Sequence, residues 1–206
     1  YAPVTRRVTV TDSSADTLDV QLTAVTEVFS DTFETDKGWT RNPTATDTAT
    51  AGVWERGDPQ ATSSSGVKQQ GTTVSGVNDL VTGRLSGSSS GSYDLDGGRT
   101  SIQSPAIVLP DGSSGGALTM TFSYYLAHGT NASSADYLRV SIVGTTQAVV
   151  FQELGGADND NAVWATATVD LTAFAGQTVR ILVEAADASG ASLVEAAIDD
   201  VKIVKQ

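Results

Sequence analysis

The chain has 206 residues, of which 39% are hydrophobic, with no cysteine and a single histidine. The apolar share is enough for a core and argues against wholesale disorder, and the missing cysteines exclude disulfides, thiolate chemistry and cysteine-bound zinc. A formal net charge of −12 repels phosphate backbones and anionic lipid surfaces, which excludes nucleic acid as a partner and suits cation binding.

Residues 1–23 read as a β-hairpin. Val4, Val8 and Val10 alternate loosely with polar residues, Thr11 to Asp16 form a turn, and Leu18, Val20 and Leu22 alternate cleanly. About six apolar side chains are too few for a core of their own, so this arm is expected to dock on a neighbour or to close a preceding domain. The chain is expected to be a fragment of something longer. Residues 24–28 form the join. Phe29-Ser30-Asp31-Thr32-Phe33-Glu34 then reads as a strand, with Gly38-Trp39 just after.

Residues 40–100 are sparse in hydrophobics and rich in Gly, Ser and Thr, which predicts long loops with short edge strands. Strand candidates follow at 101–108, at Leu118-Met120-Phe122-Tyr124-Leu126, at Leu138-Val140-Ile142, at 147–153 and at 163–169. His128 ends the second of these beside Gly129 and reads as a loop residue. Leu171 to Gly176 looks like a turn that packs Phe174. Val179-Ile181-Val183 and Val194-Ala196-Ile198 complete the set, the last leading into Asp199-Asp200-Val201-Lys202-Ile203. No segment holds a helical period over ten residues, and no run reaches the roughly 18 apolar residues of a membrane span, so membrane insertion is not expected. The predicted fold is all-β: a two-sheet antiparallel β-sandwich, a jelly roll, over 24–206, with the N-terminal hairpin arm.

Two acidic strands carry the chemistry. Asp31 and Glu34 in the first, and Asp199 and Asp200 in the last, stand among apolar residues. An acid inside a half-buried strand needs compensation. Calcium supplies it well, because a hard divalent cation takes several carboxylate and carbonyl oxygens at once. The two strands are expected side by side with a structural calcium between them.

Other motifs carry less. Asp158-Asn159-Asp160-Asn161 starts like a calcium loop, but lacks the Gly and Glu that complete one, so a turn explains it. Gly87-Ser88-Ser89-Ser90-Gly91 matches an esterase string without the strand and helix that string requires. One histidine is too few for catalytic zinc. Asn131-Ala132-Ser133 is a glycosylation sequon with meaning only in a eukaryotic secretory context. Among the tryptophans, Trp39 and Trp164 read as core. Trp54, followed by Glu55, Arg56 and Asp58, is the better surface candidate, and a ligand contact there competes with a plain surface role.

The block from about 28 to 204 resembles the calcium-stabilised jelly-roll domains of carbohydrate-binding modules and MAM-type adhesion domains. The matching pieces are Asp31-Thr-Phe33-Glu34, Gly38-Trp39, Gly52-Val-Trp54-Glu-Arg56-Gly57-Asp58-Pro59, Ser101 to Ile107, Thr121 to Tyr125, Asp170-Leu171 and Ile198-Asp199-Asp200-Val201. Tyr1-Ala-Pro3, Val8-Thr-Val10 and Leu18-Asp-Val20-Gln-Leu22 resemble the end of a carboxypeptidase regulatory-like domain. Such a pair resembles the C-terminal half of secreted bacterial zinc carboxypeptidases. The resemblance implies Glu34 and Asp199 as calcium ligands, with Asp31 and Asp200 as further candidates. It also implies a non-catalytic accessory domain, an extracellular home, and as partners a glycan or cell-surface polymer and the other domains of a parent enzyme. The MAM likeness allows instead a protein–protein adhesive role.

Overall fold

The computed structural model describes residues 24–113 and 115–206, together with Thr5 and Arg7. Apart from Thr5 and Arg7, the predicted hairpin arm at 1–23 lies outside the described residues.

Two antiparallel sheets form the sandwich. The first holds, in spatial order, β12 (Ala165–Asp170), β9 (Leu118–His128), β14 (Val194–Lys205), β6 (Asp79–Thr82) and β3 (Trp54–Gly57), with β1 (Thr26–Asp31) also paired to β14. The second holds β11 (Gln147–Leu154), β10 (Tyr137–Val143), β13 (Thr178–Asp187), β7 (Gly98–Gln103) and β2 (Thr40–Arg41), with β8 (Ile107–Val108) also paired to β13. β4 (Thr62–Ser63) and β5 (Val67–Gln69) make a small separate hairpin. The expected all-β sandwich is what the chain forms.

The long strands follow from alternation. Leu118, Met120 and Phe122 of β9 turn into the core between the sheets, as do Val179, Ile181 and Val183 of β13. The predicted turn at 171–176 is a short 3-10 turn, Thr172–Phe174, that buries Phe174. The expected strand at 101–108 breaks in two at Ser104-Pro105, where proline has no N–H for the ladder. Residues 40–100 hold edge strands, as expected, but also β6, which lies inside the sheet between β14 and β3 and is wholly buried. Four residues are too short for a period to show.

β14 organises the site. One side pairs with β9 along its length. Its other side is shared: β6 takes Ala197 and Ile198, and β1 takes Val201 to Lys205. Asp199 and Asp200 occupy the gap between these partners, where Asp200 has a positive φ of 51° and the register with β9 shifts. The outer face of this sheet is covered as well. Val81, Tyr125, Ala127, Ala162 and Ala197 form a second cluster there, with Trp164 packed against it.

Candidate functional site

The expected pairing of first and last strands holds, with Asp31 opposite Val201. Asp31 is buried; its Oδ1 accepts from Phe33 N–H (2.9 Å) and its Oδ2 from Trp39 Nε1–H (2.8 Å). Phe33 takes a positive φ of 56°, so the chain leaves the sheet there. Glu34, expected within the strand, therefore lies beyond it, exposed on a bend.

From that bend Glu34 reaches the 70–78 loop. Its Oε1 accepts from Val77 N–H (2.9 Å) and Asn78 N–H (2.7 Å), bonds that hold its carboxyl below the usual range. Asp199, fully buried, takes the other half of the loop. Its Oδ2 accepts from Val74 N–H (2.9 Å) and Ser75 N–H (3.2 Å), and its Oδ1 from Asp200 N–H (2.7 Å). Asp200 Oδ1 accepts from Ser75 Oγ–H at 2.5 Å. Glu34 and Asp199 thus clamp one loop from its two ends. The close approach needs Gly76, whose φ is +65° and whose Cβ, were there one, would stand 2.3 Å from Glu34 Cδ.

Beside this clamp lies an acid that the sequence reading missed. Asp79 opens β6 and is fully buried, yet neither carboxylate oxygen has a hydrogen-bond partner. The β6–β14 register, Leu80 opposite Ile198, sets Asp79 next to Asp199. Burial, and then the charge of Asp199, push Asp79 up to about 8; Asp58 adds to the effect. Burial also lifts Asp199 to about 6, against the amide bonds that lower it. The Tyr125 hydroxyl is buried without a partner, its acidity suppressed by burial and then by Asp79. Asp58 lines a small cavity of about 190 Å³ with Gly71, Thr72, Thr73, Gly76 and Val77 of the same loop. Among the described residues, no three acidic or histidine side chains are gathered closely enough to form a metal cluster by themselves. The only hint of Asp79 in the sequence is an acid immediately before the apolar pair Leu80-Val81.

A second feature lies at the edge where β3 and β2 approach. A cleft of about 400 Å³ is lined by Trp39, Asp36, Arg41, Glu55, Arg56 and Arg84, with Trp54, Leu80 and Ile102 as its floor. Trp39 is half-buried and packs on Phe33, ring centres 5.5 Å apart. Arg56 donates to Phe33 O (2.9 Å), and Arg84 Nε stands 3.7 Å from Glu55 Oε2. The indole expected to face a ligand is misplaced: Trp54 is 0% exposed, because β3 turns it into the core. Trp39, expected in the core, is the partly exposed tryptophan of the cleft. Arg56 lines the cleft, whereas Asp58 belongs to the other cavity, so the three proposed ligand residues do not converge.

His128 is also corrected. It is the last residue of β9, 3% exposed, and not a loop residue. Its backbone pairs with Asp160, which places the 158–161 turn against the sheet. There the Lys68 ammonium, itself buried, donates to His128 O (2.8 Å), Asp160 O and Asn161 Oδ1 (3.2 Å). Of the side-chain oxygens that hinted at a calcium loop, Asn161 Oδ1 holds the lysine, and Asp160 does so through its backbone carbonyl. Ser89 of the Gly-Ser-rich string is exposed and its Oγ lies 3.0 Å from Ser92 Oγ, within a turn.

No protein-family model matches the chain, and no curated protein is similar to it. The solved structures do offer a likeness. The chain is similar in fold to cleaved adhesin domains of Lys-gingipain from Porphyromonas gingivalis. With the K3 domain it shares 16% identity at a TM-score of 0.50, over 88% of this chain and 99% of that one. With the K1 domain the values are 15% and 0.50, over 88% and 98%. A looser likeness, TM-score 0.45 at 12% identity over 82% of this chain and 89% of that one, is to TmCBM61 in complex with β-1,4-galactotriose. At such identities the gingipain likeness establishes the sandwich fold alone.

Proposed function

We propose that this chain is a non-catalytic, extracellular binding module, an accessory domain of a secreted bacterial enzyme of the zinc carboxypeptidase type, which attaches its parent to a glycan or cell-surface polymer. The observation that carries the reading is the Trp39 cleft. A half-buried indole offers an apolar face to a sugar ring, and planar charged groups around it offer hydrogen bonds to hydroxyls. Three of the chain's twelve Lys and Arg residues line it, although the chain as a whole carries −12. Arg41 is exposed and has no ion pair among the described residues. Free guanidinium favours carboxylate, so an acidic saccharide fits best. Glycan-array and affinity-gel binding of the folded chain should select acidic glycans. Trp39→Ala and Arg41→Ala should each abolish or strongly weaken the signal. Binding to protein surfaces alone, unaffected by Arg41→Ala, would favour the adhesive alternative.

The same reading includes structural calcium between Glu34 and Asp199. The residues present fit a hard cation, though not through all four acids expected. Both oxygens of Asp31 are taken by internal donors, and Asp200 Oδ1 by Ser75. Asp79 has two unpartnered, buried oxygens next to Asp199. Asp199 also accepts amides at both oxygens, so we propose Asp79 as the central ligand, with Asp199, Glu34, Asp58 and loop carbonyls around it. A bound calcium ion would neutralise the two buried charges.

A further inference from the structure

At the far end of β14 from the Asp199 gap stands a second group of acids. The long connection from β6 to β7, residues 83–97, folds back over the sheet and is tied by Leu95 N–H to Val194 O at 3.0 Å. This brings Asp94 and Asp96 to an open cleft of about 430 Å³. Its polar side chains are those of Ser64, Ser90, Asp94, Asp96, Asn131 and Ser192, all with oxygen to offer; no lysine or arginine lines it.

The neighbouring buried acids have partners. Glu195 Oε2 accepts from Thr82 Oγ–H (3.2 Å), and Asp187 Oδ1 from Ser192 Oγ–H (2.8 Å). Asp136 accepts from Ala188 N–H (2.9 Å) and Ser133 N–H (2.7 Å). Asp94 differs. It is 4% exposed and lines the cleft; its own amide and that of Val194 reach the carboxylate, but its Oδ1 is enclosed with no hydrogen-bond partner. Burying such an oxygen unpaired is costly, and more so when the charges around it are of the same sign. Burial first, then Asp96 and Asp187, push Asp94 up to about 7.

We propose that this cleft is a second calcium site, in which Asp94 and Asp96 supply the charge and neutral oxygens of the surrounding loops complete the shell. An all-oxygen lining on loops suits calcium, which tolerates irregular geometry, better than zinc, which takes nitrogen and sulfur, or magnesium, which demands a strict octahedron. The ion would pin the 83–97 connection to the segment that leads into β14. The site shares no residue with the Asp79 cluster and stands whether or not that cluster binds metal.

The test uses the full chain, stripped with chelator and titrated with calcium chloride. Bound calcium is counted by calorimetry and elemental analysis in wild type, Asp94→Asn, Asp96→Asn and Asp79→Asn. Asp94→Asn should bind one calcium fewer than wild type, Asp96→Asn should bind it more weakly, and Asp79→Asn should retain this site. Calcium should also protect the 85–93 stretch from protease in wild type but not in Asp94→Asn. If Asp94→Asn does not fold, the same readouts on Asp96→Asn decide. Unchanged calcium count and unchanged protection in these variants would overturn the proposal and leave Asp94 as a buried acid that simply holds a proton.

Discussion

Asp199 and Asp79 sit on adjacent strands, both 0% exposed, yet they meet burial in opposite ways. Asp199 is ringed by three backbone N–H donors. Asp79 has none for either oxygen. Backbone amides can thus do what a cation does, turning a buried carboxylate into the fastener of a loop. A buried carboxylate that receives no amide is a different object: its charge destabilises the fold until a proton or a metal ion neutralises it. Acids among apolar residues show in the sequence, but not which of these two kinds each one is. That depends on a loop some 125 residues away from Asp199.

Substitutions should separate the two kinds. The largest loss is expected from Asp199→Ala, which leaves the part-buried amides of Val74, Ser75 and Asp200 without an acceptor; an unpaired donor costs up to about 1–3 kcal/mol when fully buried and less where water reaches it, so the folded state should lose a few kcal/mol in urea unfolding. If Asp199→Ala unfolds at the same urea concentration as wild type, the clamp does not hold the loop.

Gly76→Ala should come next. A Cβ there meets Glu34 and must adopt a positive φ, so a loss of about 1–3 kcal/mol is expected, with faster amide exchange at Val77 and Asn78. The paired change Glu34→Ala with Gly76→Ala should recover the steric part only. Equal losses in both backgrounds would show that backbone strain, and not the contact with Glu34, is responsible.

pH provides a smaller and more diagnostic effect. Asp79 in the folded state is raised to about 8 and Asp199 to about 6, above their ordinary 3.8. The folded chain therefore binds more protons than the unfolded one between these values. The associated stability is complete below about pH 4 and is lost as pH rises, through about 6 for Asp199 and about 8 for Asp79. In chelator, the melting temperature should fall from pH 5 to pH 8.5. Calcium should flatten that slope. A chelated chain whose stability rises over this range would contradict the assignment of Asp79 as a partnerless acid. The smallest stability change is expected from Arg41→Ala, an exposed residue outside the clamp, which should leave the melting curve alone while removing ligand binding.

The sequence foretold what rests on long repetition. β9, β13 and β14 span 10–12 residues each, long enough for alternation to reveal which face is buried. The neighbouring of first and last strands was also legible, because both carry acids in apolar surroundings. β6 was not, since four residues with no exposed member show no period. Trp54 was misread for a related reason. Its neighbours Arg56 and Asp58 are exposed, and their polarity coloured the whole segment, but within β3 the indole turns inward while Arg56 faces solvent. Trp39 escaped notice as a cleft residue because its Nε1–H is held by Asp31, a contact that sets the ring at the sheet edge.

The most direct measurement compares wild type with Asp79→Asn by thermal melting at about pH 8, first in chelator and then in excess calcium. In chelator the variant lacks a buried charge and breaks no hydrogen bond, so it should melt at or above wild type. In calcium it lacks a ligand, so wild type should gain RT ln(1 + [L]/Kd), about 2.7 kcal/mol at 100-fold saturation, and rise above the variant. Each kcal/mol moves the melting point of a chain of this size by about 2–4 °C, so the reversal is readily seen. A variant that melts below wild type by the same margin in both conditions would show that Asp79 is a structural acid with partners of its own, and that calcium is not bound beside Asp199.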